Sequence, residues 1–367
     1  MDEEGNLAFA AIEYLDSDGN VDRWGSHLFA IIGGELHRVA PRFQGDFGQI
    51  HVEGAQVSFG SIGTKGGIFR WANGGSGEIA GSETLVPDQE DCLLYTKEEG
   101  ISVQPFLVDG DTVLFSGTPG TGCDAGTFLW RSGVIARLGG VSSQASIDEG
   151  LIAFLSSDGA IYHRDLEGSP KRLVGPGDPV PGRLAFFDSV WEPAAAAGRI
   201  AFMGRDQEGT IGAYLWDRGA LSVLAEEGTQ LPGGGSLAFD ALDPEPVRLG
   251  ADRVAVLGTD GQRRVLYLAS LDGSWEKVVD LADLFISGSN VGGFDRGELL
   301  IGDASYAYVV RRDTSLVKVL EYGDVLDGQV VTEIDAGDLR RSRLSLGVEL
   351  SGRRYIYLAE LPPLAGC

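Results

Sequence analysis

Arg199-Ile200-Ala201-Phe202-Met203, the polar turn Asp206-Gln207-Glu208-Gly209, and then Ala213-Tyr214-Leu215-Trp216 carry the reading of the fold. Ala197-Gly198 turns the chain into the first run, whose polar and apolar residues alternate as in a half-buried strand. Asp217-Arg218-Gly219 makes the next turn and Ala220-Leu221-Ser222-Val223-Leu224 the third strand. Gly228-Thr229-Gln230-Leu231-Pro232-Gly233 then leads over to a fourth segment, Leu237-Ala238-Phe239-Asp240. Four short strands joined by hairpins make up one blade of a β-propeller.

The unit recurs. Its first cue ends at Phe9, Phe59, Phe115, Phe154, Phe202, Val256, Ile301 and Leu346, and a second cue follows at Phe29, Phe69, Phe128, Tyr162, Tyr214, Tyr267, Tyr308 and Tyr357. Phe9 and Leu346 lie 337 residues apart over seven steps, a period of about 48 and in the range of propeller blades. The expected fold is all-β: a single β-propeller domain over residues 1–367, built of four-stranded antiparallel blades, with eight blades favoured and seven the alternative. The first unit lacks a leading strand and the last lacks its third. Aromatic residues at one register in every blade imply one packing site between sheets, so Trp71, Trp130 and Trp216 are assigned to the core and not to a sugar-stacking surface. Pro193-Ala194-Ala195-Ala196-Ala197 is read as a connector, and residues 278–285 as one or two helical turns.

Composition excludes several partners. The 54 acidic against 29 basic side chains give a formal charge of −25, a repulsive field for nucleic acid and for anionic membranes. No run of 18 apolar residues is present, so no membrane span is expected. The 55 glycines fall between strand cues, where tight turns use their access to positive φ. Met1-Asp2-Glu3-Glu4 is acidic and is not a signal peptide; a mature or trimmed chain is expected. Cys92 and Cys123 are placed so that a disulfide fits, but two inert thiols are the expectation.

Asp2-Glu3-Glu4-Gly5-Asn6-Leu7-Ala8-Phe9 resembles the N-x-x-G-x-x-A-F signature of a bacterial family of exported tandem-repeat proteins with variable C-terminal anchors, with Asp at the Asn position. Residues 195–202 and 147–154 keep the Gly and the Ala-Phe, and Gly177-Asp178-Pro179-Val180-Pro181-Gly182 looks like that family's crossover turn; Gly323-Asp324-Val325-Leu326-Asp327-Gly328 repeats it weakly. The resemblance implies export, attachment to the cell envelope, and no catalytic residues to transfer.

Catalytic signatures are missing: no G-x-S-x-G elbow, no P-loop, no dinucleotide fingerprint and no H-E-x-x-H. His27, His37, His51 and His163 are scattered, and His27, His37 and His163 sit at strand positions. Within Asp16-Ser17-Asp18-Gly19-Asn20-Val21-Asp22, the oxygen side chains of Asp16, Asp18, Asn20 and Asp22 form a candidate calcium site, calcium being a hard cation. A solvated hairpin tip accounts for the same residues. Catalytic residues are unknown. The expected function is a non-enzymatic extracellular or cell-envelope module binding a protein, glycan or surface polymer; the alternative is a polysaccharide hydrolase or lyase with acidic residues at the central channel.

Overall fold

In a computed structural model of the protein the described residues are 6–14, 24–43, 47–61, 67–81, 83–87, 89, 92–94, 107–117, 126–139, 144–231, 236–239, 247–250, 252–260, 263–271, 274–280, 290–295, 298–340, 343–351 and 353–361. Among them are strands and turns but no helix. The chain divides into two compact units, one of residues 1–150, 154–158 and 164–171, the other of residues 151–153, 159–163 and 172–367.

Eight antiparallel sheets follow one another along the chain, and each is a blade. Blade 1 (7–43) shows three strands; blades 2 (47–81), 3 (107–139), 4 (145–174), 5 (187–226) and 7 (290–321) show four in sequential order. In blade 6 (237–280), Leu237–Ala238 and Val247–Leu249 both pair with Arg253–Asp260, as two halves of one leading strand. Blade 8 (325–360) begins with the two-residue arm Val325–Leu326 and ends on Arg353–Glu360. Leu237-Ala238 therefore opens blade 6. Blade 5 is completed instead by its leading strand, Phe187–Ala196, so Pro193 to Ala196 are strand and not connector. The bulge between Trp191 and Ala194 admits the proline, which has no N–H to give to a ladder. Residues 275–280 are likewise strand, contrary to the expected helical turn over 278–285, and 281–285 lie outside the described residues.

The two aromatic cues of a blade face each other. Phe59 pairs with Phe69, Phe115 with Phe128, Phe202 with Tyr214, Val256 with Tyr267, Ile301 with Tyr308 and Leu346 with Tyr357. Phe202 and Tyr214 stack with centroids 5.5 Å apart at 22°, and Phe59–Phe69 and Phe115–Phe128 do the same. Cross-strand pairs of this kind hold antiparallel sheets in register.

Ile200, Ala201, Phe202 and Met203 are all fully buried, so this strand is not half-buried as its alternation suggested. Ala201 and Met203 pack with Val254 and Val256 of blade 6, while Ile200 packs with Leu151 and Ala153 of blade 4. In blade 6, Val254 and Val256 face blade 5 while Ala255 and Leu257 face Leu299 and Ile301 of blade 7. A sheet sandwiched between two others buries both faces, and its strands become continuously apolar.

In six blades the outer strand carries a bulge at one column, between the second aromatic cue and the residue before it. The extra residues are Val39, Ile79, Leu138, Leu224, Val278 and Val319, every one aliphatic. A bulge adds local twist and bends the outer strand. Glycine serves the same crowded region: a Cβ on Gly204 would sit 2.7 Å from Phe187 Cε1 and 3.1 Å from Tyr214 Cε2. Gly204→Val is expected to destabilise the fold by about 2–3 kcal/mol through overpacking, read as a shift in denaturation midpoint. A change below about 0.5 kcal/mol would mean that the rings do not close over this backbone.

Candidate binding surface

Four crossover hairpins share one construction. The side-chain oxygens of Thr84, Asp178, Thr229 and Asp324 accept the backbone N–H of Gly81, Gly175, Glu226 and Glu321, at 2.8–3.0 Å. Their backbone carbonyls accept N–H groups from the returning arm, at Leu94, Phe187, Leu237 and Val331. Local side-chain acceptors of this kind fix a turn without help from the rest of the fold. Two residues on, Val86, Val180 and Leu231 are buried and Leu326 is partly buried. The residue between them points outward with its cross-strand partner: Leu85 with Leu93, Pro179 with Phe186, Gln230 with Ser236, Val325 with Val330. Leu85, Leu93, Phe186, Val325 and Val330 are consequently exposed, Tyr322 joins them, and Leu184 at the tip of its hairpin is fully exposed.

The hairpin of residues 177–187 is seated on blade 5 by an ion cluster. Arg183 Nη1 lies 2.9 Å from Asp206 Oδ2 and 3.4 Å from Glu226 Oε1, and its Nη2 lies 3.5 Å from Glu208 Oε2. The Asp206 side chain is 0% exposed. Its Oδ1 accepts the N–H groups of Glu208 and Thr210, both at 2.9 Å, and its Oδ2 meets Arg183 as an ion pair without an aligned hydrogen bond. The Gln207 N–H donates to the Phe186 carbonyl at 3.0 Å, and the Tyr214 hydroxyl donates to Glu226 at 3.3 Å. Burial tends to lower the Arg183 pKa, but Glu226, Asp206 and Glu208 outweigh it and raise the pKa above the ordinary guanidinium value. Burial, followed by Glu226 and Asp206, holds the Tyr214 phenol well above its usual range. Here the carboxylates gather around an arginine, which neutralises part of their charge and pins the hairpin to the blade.

In the first unit a second polar series links successive turns. Asn6 Nδ2 donates to the Gly54 carbonyl, Glu53 accepts the Gly110 N–H at 2.7 Å, and Asp109 accepts the Gly150 N–H at 2.6 Å. Asn6, which follows the Gly of the local signature match, thus acts as a turn clamp. The His37 ring packs on Trp71 at 5.4 Å and His163 on Trp216 at 4.6 Å, while the Arg70 guanidinium lies 4.8 Å over Trp130. Trp71 is buried as expected, and Trp130 and Trp216 are partly buried.

The candidate calcium residues Asp16, Asp18, Asn20 and Asp22 lie outside the described residues. Among the described residues no group of three or more His, Cys, Asp or Glu is placed to hold a metal ion. Arg183, Asp206 and Glu226 were not singled out in the sequence, where Asp206 reads as a polar turn residue. Thr84 was missed as a crossover residue because Glu83 stands where a Gly precedes Asp178, Thr229 and Asp324. Cys92 is disulfide-bonded, which corrects the expected inert thiol; Cys123 and Cys367 lie outside the described residues. Thiol titration of the denatured, unreduced protein should find one free thiol among three cysteines, and reduction should destabilise the fold by about 2–4 kcal/mol. Three free thiols would contradict the bond.

The chain covers 86% of its length and 95% of that chain against the β-propeller domain of the Trilobed protease from Pyrococcus furiosus, at TM-score 0.50 and 10% identity. The fold is a β-propeller. A computationally designed protein, Ika8, gives TM-score 0.48 at 14% identity with 95% of both chains covered. TolB from Acinetobacter baumannii gives TM-score 0.34 at 16% identity over 75% of this chain, which spans 63% of the TolB chain. No family model and no curated protein sequence matches the propeller. No helix among the described residues is long and apolar enough to cross a membrane.

Proposed function

We propose that the propeller is a non-enzymatic binding module of the exported tandem-repeat type, working outside the cytoplasm or at the cell envelope. Its partner, a protein, glycan or surface polymer, docks on the crossover hairpin of residues 177–187. One observation carries this reading: Leu184 is fully exposed and Phe186 is 48% exposed on a hairpin that Arg183, Asp206 and Gln207 hold rigidly in place. Large apolar side chains on a pre-ordered loop bind with little loss of entropy. The bonded Cys92 supports an oxidising compartment, and the net charge of −25 keeps such a protein soluble there.

The test is retention on cell-envelope fractions by Leu184→Ser/Phe186→Ser beside the unaltered protein. Both side chains are solvent-exposed, so the melting temperature should hold while retention falls about tenfold or more, as for anchor residues of an interface. Equal retention of the two proteins would remove this surface from the reading.

A further inference from the structure

The hairpin of residues 323–331 presents apolar side chains that its construction does not require. The Asp324 side chain accepts the Glu321 N–H at 2.9 Å, its carbonyl accepts the Val331 N–H at 2.9 Å, and the Gly323 N–H donates to the Val331 carbonyl at 3.0 Å. Asp327 and Gly328 turn the chain with φ of 51° and 76°, the left-handed pair of a two-residue hairpin turn. These contacts close the loop whatever stands at its outward cross-strand pair. In the hairpin of residues 228–237, closed in the same way by Thr229, that pair is Gln230 and Ser236. Here it is Val325 and Val330, 68% and 51% exposed, with Tyr322 before them at 61%. Neighbouring exposed apolar side chains that the fold does not need point to a contact surface.

The charge beside this pair is negative and held in place. Asp327, exposed at the turn, accepts the Tyr357 hydroxyl at 2.7 Å. That hydrogen bond pushes the Tyr357 pKa up to about 12, so the phenol stays a donor at neutral pH and orients the carboxylate. Among the described residues no Lys, Arg or His forms an ion pair with Asp327. At the other end of the hairpin, Lys318 Nζ lies 3.2 Å from both Glu321 Oε2 and Asp324 Oδ1, one cation for two carboxylates. The hairpin of residues 177–187 brings its own Arg183 to its carboxylates, whereas residues 323–331 include no basic side chain. We propose that the hairpin of residues 323–331 docks a polypeptide segment in which an arginine or lysine is flanked by apolar residues, with the cation on Asp327 and the apolar side chains on Val325 and Val330. Charge complementarity selects this occupant. A second copy of the chain, with its net charge of −25, would be repelled, as would nucleic acid or an anionic membrane. A neutral glycan would leave Asp327 without a counter-charge. This surface is separate from the hairpin of residues 177–187 and does not depend on it.

The test follows the valine methyl resonances of the whole protein during titration with a blocked pentapeptide of alternating leucine and arginine. Saturable shifts at Val325 and Val330 are expected, with half-saturation below about 1 mM. Pentapeptides with serine in place of leucine, or glutamate in place of arginine, should bind at least about tenfold more weakly. Asp327→Asn suits the same turn and keeps an acceptor for Tyr357, so it removes the charge alone. It should weaken binding several-fold at an unchanged melting temperature. Val325→Thr/Val330→Thr keeps the branched shape and should weaken binding about tenfold by calorimetry. No shift at several millimolar peptide, or shifts confined to other valines, would overturn the proposal. Equal binding of the serine–arginine peptide would do the same, by showing general attraction to an acidic surface. Tighter binding of a neutral oligosaccharide at the same methyl groups would give the site to a glycan instead. Shielding of both valines from a soluble paramagnetic probe in the free protein would show the surface already covered, and no docking site.

Discussion

Phe202→Ala is expected to cost about 3–5 kcal/mol of stability, among the largest losses available to a single side chain of this fold. Phe202 is fully buried, stacks on Tyr214 at 5.5 Å and meets Phe187 at 6.2 Å. Truncation removes the transfer energy of the ring and leaves a cavity between two sheets whose backbone the ladder hydrogen bonds hold fixed. Phe202→Leu should cost roughly a third as much, because most of the volume stays. Leu36→Ala, at an exposed position, should stay within about 0.5 kcal/mol. Urea denaturation midpoints compared at constant slope would show the ranking. A Phe202→Ala loss below about 1 kcal/mol would refute the stacked aromatic column as the core of the blade.

Asp206→Ala is expected to cost about 3–5 kcal/mol for a different reason. The N–H groups of Glu208 and Thr210 lose their acceptor, and Arg183 loses the partner that is wholly buried. A buried donor left without an acceptor costs about 1–3 kcal/mol. Glu226 and Glu208 still surround the guanidinium, which keeps the loss towards the lower end. Asp206→Asn retains an oxygen for the two N–H groups and loses only the charge, so about half the effect should remain. The variant also makes a local claim. With Arg183 released, amides of residues 177–187 should exchange faster than those of the other crossover hairpins. Uniform acceleration over the chain would show that the ion cluster supports the blade as a whole and is no latch for the hairpin.

Both effects depend on features that were unequally visible in the sequence. Phe202 and Tyr214 could be assigned to the core before any coordinates, because their cues recur in a fixed order at one register of every unit. The glycine-bearing crossover turns at 177, 228 and 323 could be found for the same reason: an Asp or Thr that accepts a hydrogen bond three residues back needs only its own neighbours. Residues 193–196 misled, since alanine favours helix locally while the ladder with Arg199–Asp206 decides the strand. The bulges were hidden in Val39, Ile79, Leu138, Leu224, Val278 and Val319, because an extra aliphatic residue in an apolar run leaves no mark on a period-two pattern.

By itself the sequence determined the all-β class, the repeated four-stranded unit, the recurring aromatic cues and most crossover turns. These rest on local chemistry repeated at a regular interval, where each copy confirms the others. The tertiary structure alone decided that Arg183, Asp206 and Glu226 meet and that Leu184 and Phe186 stand exposed beside them. Among 54 acidic residues no spacing distinguishes Asp206 from its neighbours. Its burial and its arginine come from a hairpin folding back across the blade, a long-range packing event with no periodic trace in the chain.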